Sequence, residues 1–223
     1  MKELYIYHHL GLGDHIVCNA IVRNYSKQND KIYLFVKPHN LDNVSFMYRD
    51  LKNIEYIAGD DNVAQNYINT NNIKNLLQIG FDKLDRKIRY DESFYRQIGM
   101  DFEKKWTDFY IERDMNKEKE LFNSLKIKEN EYIFINEDSK RGHLLDKNKY
   151  RQDIRIVSSE IPCPLFDLCY IIENAKEVHL MESSIKCLSD HINIKTDKLF
   201  YHYYVRNYPF NVQVTSKRNW FIL

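Results

Sequence analysis

Short apolar runs alternate with longer amphipathic ones along the whole chain, the pattern of repeated βα units. In the first half, strand-like runs fall near 3–8, 31–36 (KIYLFV), 54–58 (IEYIA) and 75–79 (NLLQI). The spacing between them predicts helices over 15–28, 40–51 and 61–73. Asn29-Asp30 is a turn signal closing the first helix, and Pro38 and Asn40 open the second. From 81 to 114 the pattern gives way to charged and aromatic residues, with short helices predicted at 91–98 and 101–105. Lys117 to Lys126 places Leu121, Phe122 and Leu125 on one helical side and leads into the strand-like EYIFIN at 131–136. The theme then repeats, with strands near 153–157, 177–181 and 198–204 and a helix from Ser183 to about His191. In the helix predicted over 164–174, Pro164 suits the first turn and Leu165, Leu168, Cys169 and Ile172 share a face. The expected architecture is α/β, two small Rossmann-like domains over 1–114 and 115–223 facing a cleft.

The 223 residues, 43% of them hydrophobic, suffice for two small cores. Thirty-three basic side chains against 32 acidic ones leave a net charge of +1, which argues against a duplex-DNA reader. No apolar stretch approaches the roughly 20 residues needed to span a bilayer, and the N-terminus lacks a signal-peptide pattern. A cytoplasmic protein is expected. Cys18, Cys163, Cys169 and Cys187 form no CxxC pair and no zinc-type spacing, so they read as small hydrophobes in a reducing compartment.

Residues 8–16, HHLGLGDHI, join the first strand to the first helix. Gly11 and Gly13 permit positive φ and close approach of a ligand, and the helix start offers N–H groups to an anion. Asp14, at or beside the N-cap, either caps that helix or is a carboxylate presented to substrate. His8, His9 and His15 flank it, and can orient substrate or replace it as base. A dinucleotide site is disfavoured: Ile16 stands where the third glycine of GxGxxG would fall, and Lys37 and Pro38 replace an acid after the second strand.

In the second half, Asn136-Glu137-Asp138-Ser139-Lys140-Arg141-Gly142-His143 follows a strand as the GLGD loop does. Ser139, Lys140 and Arg141 suit a diphosphate, or else a solvated charged loop. Ser183 and Ser184 begin a helix, where they cap it or present hydroxyls and N–H groups to phosphate, and Glu182 has the chemistry to accept two ribose hydroxyls. The run Phe200 to Tyr204, with Tyr208 and Phe210, suits either base stacking or a buried edge strand. Asp60-Asp61 reads as helix capping rather than a metal site. Lys83, Arg86, Lys87 and Arg89 form a basic cluster, either solvated or suited to an anionic acceptor or membrane headgroups.

Taken in order, the Gly13-Asp14 loop, the two α/β halves and the late Glu182-Ser183-Ser184 helix start resemble two-domain GT-B glycosyltransferases, above all the heptosyltransferase-like branch, with some similarity to fucosyltransferase-like relatives. The resemblance implies an acceptor on the first half, a glycan or lipid-linked molecule. It implies a nucleotide-sugar donor on the second, held by Lys140, Arg141 and the Ser183–Ser184 helix start. Asp14 would be the base of an inverting, metal-independent transfer needing no cofactor. The family's glycine-rich start at the late helix is replaced here by Glu-Ser-Ser. Two other readings fit the same scaffold: a non-catalytic nucleotide or sugar-phosphate binding module, and a sugar-nucleotide epimerase or hydrolase.

Overall fold

A computed structural model describes all residues, Met1–Leu223. The chain divides into two compact units, Met1–Glu112 and Arg113–Leu223, against a division at 114/115 from the sequence.

The first unit carries β1 (Glu3–Tyr7), β2 (Lys31–Val36), β3 (Ile54–Ala58) and β4 (Leu76–Gln78). All pair in parallel, in the order β3-β2-β1-β4. Central β2 buries Ile32, Leu34, Phe35 and Val36 because helices cover both faces of a parallel sheet. Edge strand β3 has no fully buried residue, and its exposed Glu55 pairs with Lys31. The helices are α1 (Leu12–Val17), α2 (Asn19–Ser26), α3 (Leu41–Met47), α4 (Asp61–Thr70), α5 (Tyr90–Gln97) and α6 (Lys104–Thr107). The single helix expected over 15–28 is therefore two. Cys18 leaves helical dihedrals (φ −82°, ψ 2°), yet its N–H still bonds Asp14 O and its carbonyl accepts from Val22, so the result is a kink. Asp60 caps α4, accepting from the Val63 N–H at 3.0 Å. Within the irregular stretch, Lys105 and Asp91 form a wholly buried ion pair at 2.7 Å that fastens α6 to α5.

The second unit contains α7 (Met115–Ser124), β5 (Tyr132–Ile135), β6 (Arg155–Ser158), α8 (Cys169–Glu173), β7 (Glu177–Leu180), α9 (Ser184–Ser189), β8 (Leu199–Tyr201), α10 (Tyr203–Arg206) and β9 (Phe221–Ile222). Its sheet is also parallel, in the order β6-β5-β7-β8-β9. Every residue of β5 and β7 is buried, as their central places require. Arg113 anchors the start of this unit, forming ion pairs with both Glu118 and Glu173. Three expectations change here. Pro164 is the N-cap of a 3₁₀ turn (Leu165–Leu168) that precedes α8, rather than a first-turn residue. The strand expected over 198–204 stops at Tyr201, because the His202 side chain turns inward to bond His179 at 2.9 Å and α10 begins. Nor is β8 an edge, since the two-residue β9 pairs beyond it. The molecule is thus α/β, with two Rossmann-like parallel sheets as expected. The cysteines form no disulfide, and Cys18, Cys169 and Cys187 are buried.

Candidate active site

Open parallel sheets bind ligands beyond the carboxyl ends of their strands, at the point where strand order reverses. In the first unit that point lies between β1 and β4. The loop after β1 is His8 to Gly11, and the loop after β4 is Ile79 to Phe81. The Phe81 N–H donates to His9 Nε2 at 2.9 Å, joining the two. Gly80 makes this possible: its φ is +89°, and a β-carbon there would lie 2.8 Å from the His9 ring. Its own N–H is taken by the Gln97 side chain at 2.8 Å.

Asp14 occupies the third position of α1, and Gly11 is the N-cap. Asp14 thus sits in the first turn, three residues past the N-cap, where the Gly11 N–H favours its charged carboxylate. Gly11 has φ −70°, so its role is not a positive φ but the missing side chain. A β-carbon at Gly11 would fall 2.5 Å from Asp14 Oδ2. Gly13 is helical and likewise outside the positive-φ set. Burial pushes the Asp14 carboxyl up to about 7, against the pull of the Asp14 and Gly11 N–H groups and of the Lys37 charge.

The histidines separate into distinct roles. His15 is wholly buried and neither ring nitrogen has a hydrogen-bond partner; it packs edge-on against His8 at 4.4 Å between centroids. Burial holds His15 well below the ordinary histidine range and lowers His8 to about 4, so both are neutral. The expected catalytic placement of His15 is corrected on this ground: its ring faces the interior. His9 is partly buried, and burial lowers it too. Because its Nε2 accepts from Phe81, the neutral ring carries its proton on Nδ1 and has no lone pair left for a base.

In the second unit the order reverses between β5 and β7. Here the Ser183 hydroxyl donates to Asn136 Oδ1 at 2.6 Å while accepting from the Lys186 N–H at 3.2 Å. Asn136 in turn donates to Ser159 at 3.0 Å, so side chains tie together the loops after β5, β6 and β7. Ser183 is therefore occupied as cap and tether, whereas Ser184 is the first residue of α9, a helix of only six residues. Ser139 is bound through both N–H (2.7 Å) and hydroxyl (2.5 Å) to Glu160. Lys140 and Arg141 are exposed beside it, Arg141 lying 3.5 Å from Asp138.

Glu182 is corrected from ribose acceptor to internal strut. It is buried, with one carboxylate oxygen accepting from the Tyr201 hydroxyl (2.8 Å) and the other from the Val214 N–H (3.1 Å). Its carbonyl accepts from Arg206 at 2.9 Å. Phe200 is likewise committed, stacked on His179 with centroids 4.5 Å apart.

Two residues, one in each unit, escape a linear reading. Lys37 lies 3.7 Å from Asp61, which accepts from the Tyr7 hydroxyl at 2.9 Å. Arg206 stacks on Tyr208 at 4.6 Å. Lys37 is legible in sequence only as the residue that replaces a ribose-binding acid.

The sequence matches no protein-family model and no curated protein. Among solved structures, the chain is similar to the crystal structure of the glycosyl transferase family 9 protein from Veillonella parvula DSM 2008, with a TM-score of 0.59 and 12% sequence identity over 99% of this chain and 87% of that one. At that identity the likeness concerns the fold.

Proposed function

We propose that the protein is a glycosyltransferase, with the acceptor on the first unit, a nucleotide-sugar on the second, and Asp14 as base. The observation that carries this reading is the Asp14 carboxyl itself, set at the reversal point of its sheet and shifted by burial to change charge near neutral pH. The fold likeness to a glycosyltransferase family 9 protein supports it. The histidines that compete for the role are withdrawn from it, His15 by burial and His9 by its bond from Phe81.

In the reaction, an acceptor hydroxyl passes its proton to an Asp14 oxygen while its own oxygen bonds the anomeric carbon. The bond from that carbon to the diphosphate breaks, and its electron pair leaves with the diphosphate. Attack from the opposite face inverts the anomeric centre. Exposed Lys140 and Arg141 meet the departing charge electrostatically, so the reading calls on no metal or cofactor. The nucleotide-sugar and the glycan or lipid-linked acceptor are substrates, and a cytoplasmic setting is where such donors are expected.

Thermal unfolding with a panel of nucleotide-sugars and nucleoside diphosphates tests the donor. A ligand at 100 times its Kd stabilises by about 2.7 kcal/mol, and a flat response across the panel overturns the proposal. With the donor in hand, Asp14→Asn is expected to keep binding and lose about a hundredfold or more in turnover. Unchanged turnover removes Asp14 as base.

A further inference from the structure

The turn after β4 is held in a conformation that one of its residues disfavours. Gly80 has φ +89°, which glycine adopts freely, but the next residue, Phe81, also has a positive φ, +57°. A bulky side chain rarely takes that conformation, and it persists only where neighbours fix it. They do so here. The Gln97 side chain accepts from the Gly80 N–H at 2.8 Å and donates to the Gln78 carbonyl at 3.1 Å, while His9 Nε2 accepts from the Phe81 N–H at 2.9 Å. The Phe81 ring packs on Tyr7 and edge-on against His9, with centroids 4.7 Å apart in both pairs. What this arrangement fixes is a proton. With Nε2 engaged as an acceptor, the neutral His9 ring keeps its hydrogen on Nδ1. That Nδ1–H meets no acceptor in the protein and, unlike the ring nitrogens of His15, is not walled in. The half-buried Phe81 ring lies beside it.

We propose that His9 and Phe81 together form a sugar subsite on the first unit: the His9 Nδ1–H donates to a hydroxyl oxygen of the acceptor, and the apolar face of the same sugar ring lies on Phe81. This rests on the reading of the first unit as the acceptor side and adds to it the residues that recognise the acceptor. A sugar ring presents hydroxyls at its rim and C–H groups on its faces, so a fixed donor beside an aromatic ring matches both. A histidine free to exchange tautomers offers either a donor or a lone pair at a given nitrogen, whereas the Phe81 N–H leaves His9 only the donor at Nδ1. Charging the ring would set an Nε2–H against the Phe81 N–H, and burial already lowers His9 below the ordinary histidine range, so the donor stays neutral. Both residues stand on the loops after β1 and β4, the reversal point from whose first loop α1 carries Asp14. His9 holds the acceptor without taking its proton, which remains the part of Asp14.

The test is nitrogen NMR of the histidine side chains in the full chain, titrated with the methyl glycosides of glucose, galactose and mannose as probes. In the free protein His9 is expected to show a protonated Nδ1 and a bare Nε2, and a binding glycoside to shift the Nδ1 resonance. His9→Gln places an amide oxygen within reach of the Phe81 N–H but leaves no donor at the Nδ1 position. It should weaken that glycoside by about tenfold while the urea midpoint holds. Phe81→Gly suits the positive φ and keeps the N–H that fixes His9. It should retain the free-state nitrogen pattern and weaken the glycoside by a similar factor. Should His9→Gln not fold, Phe81→Gly decides alone. A His9 proton on Nε2, an Nδ1 resonance that no glycoside shifts, or wild-type glycoside affinity in either variant overturns the proposal. The titration needs neither donor nor turnover. A nucleotide-sugar response without a glycoside at His9 rejects the subsite and keeps the transferase reading, and a glycoside at His9 with a flat nucleotide-sugar panel does the reverse.

Discussion

The Phe81 backbone donates to His9 Nε2 across 2.9 Å, so one hydrogen bond closes the gap between the loops after β1 and β4. The second unit solves the same problem with Ser183 and Asn136, at 2.6 Å. In each unit the reversal point, where an open parallel sheet is most splayed, is thereby stiffened. A site that must hold an acid in a fixed place needs that rigidity, because a displacement of about 1 Å can cost on the order of a hundredfold in rate.

Gly11→Ala is expected to separate activity from folding. The added carbon meets only the tip of a flexible side chain, Asp14 Oδ2 at 2.5 Å, so the chain folds and the carboxylate moves aside. Turnover should drop by about tenfold or more while the thermal midpoint stays close to wild type. An active Gly11→Ala protein contradicts the placement of Asp14 described above.

Stability should depend on pH in two opposed ways. The folded Asp14 carboxyl is raised to about 7, so its favourable contribution is complete below its ordinary value of 3.8 and fades as pH rises to about 7. Asp14→Asn lacks this loss, and should be more stable than wild type at pH 8 by a margin that shrinks toward pH 4. His8, His179 and His202 are lowered to about 4 by burial, and their contribution is lost as pH falls from 6.5 toward 4. Both proteins should therefore weaken in acid. Urea midpoints from pH 4 to 8 check both slopes.

Glu182 and Arg141 should behave as opposites. Glu182→Gln replaces a carboxylate that accepts from Tyr201 and Val214, and should lower stability by about 1–3 kcal/mol. Exposed Arg141→Ala should leave the unfolding midpoint unchanged and weaken any nucleoside diphosphate bound by the wild type. Chemical denaturation and calorimetric titration of the same two proteins make the comparison.

Lys105→Met should be severe. It leaves Asp91 as a buried carboxylate without its ammonium partner, a loss of about 3–5 kcal/mol. A urea midpoint within error of wild type would show that the pair contributes nothing net.

The sheet was legible where burial dictates composition. KIYLFV and EYIFIN are strands on central positions, and Asp60 announces its cap by chemistry alone. The partition of the site was less visible. His9 and His15 look alike on paper, but helical geometry sends one inward and a neighbouring loop claims the lone pair of the other. Lys37 and Asp61 are far apart in sequence, and only the parallel pairing of β2 with β3 brings them within 3.7 Å. The strut role of Glu182 depends on Tyr201 and Val214, both distant in the chain. Strand β9, two residues long, offers no periodicity to read.

Since the seat of Asp14 is carved by the absent side chain of Gly11, the informative signature in kindred chains is a glycine three places upstream of the acid, not the adjoining Gly-Asp pair. Sequences too diverged to align by overall similarity can be screened for that interval after a first β-strand. A chain that keeps the acid but fills the upstream position would have given up the working geometry while keeping its architecture.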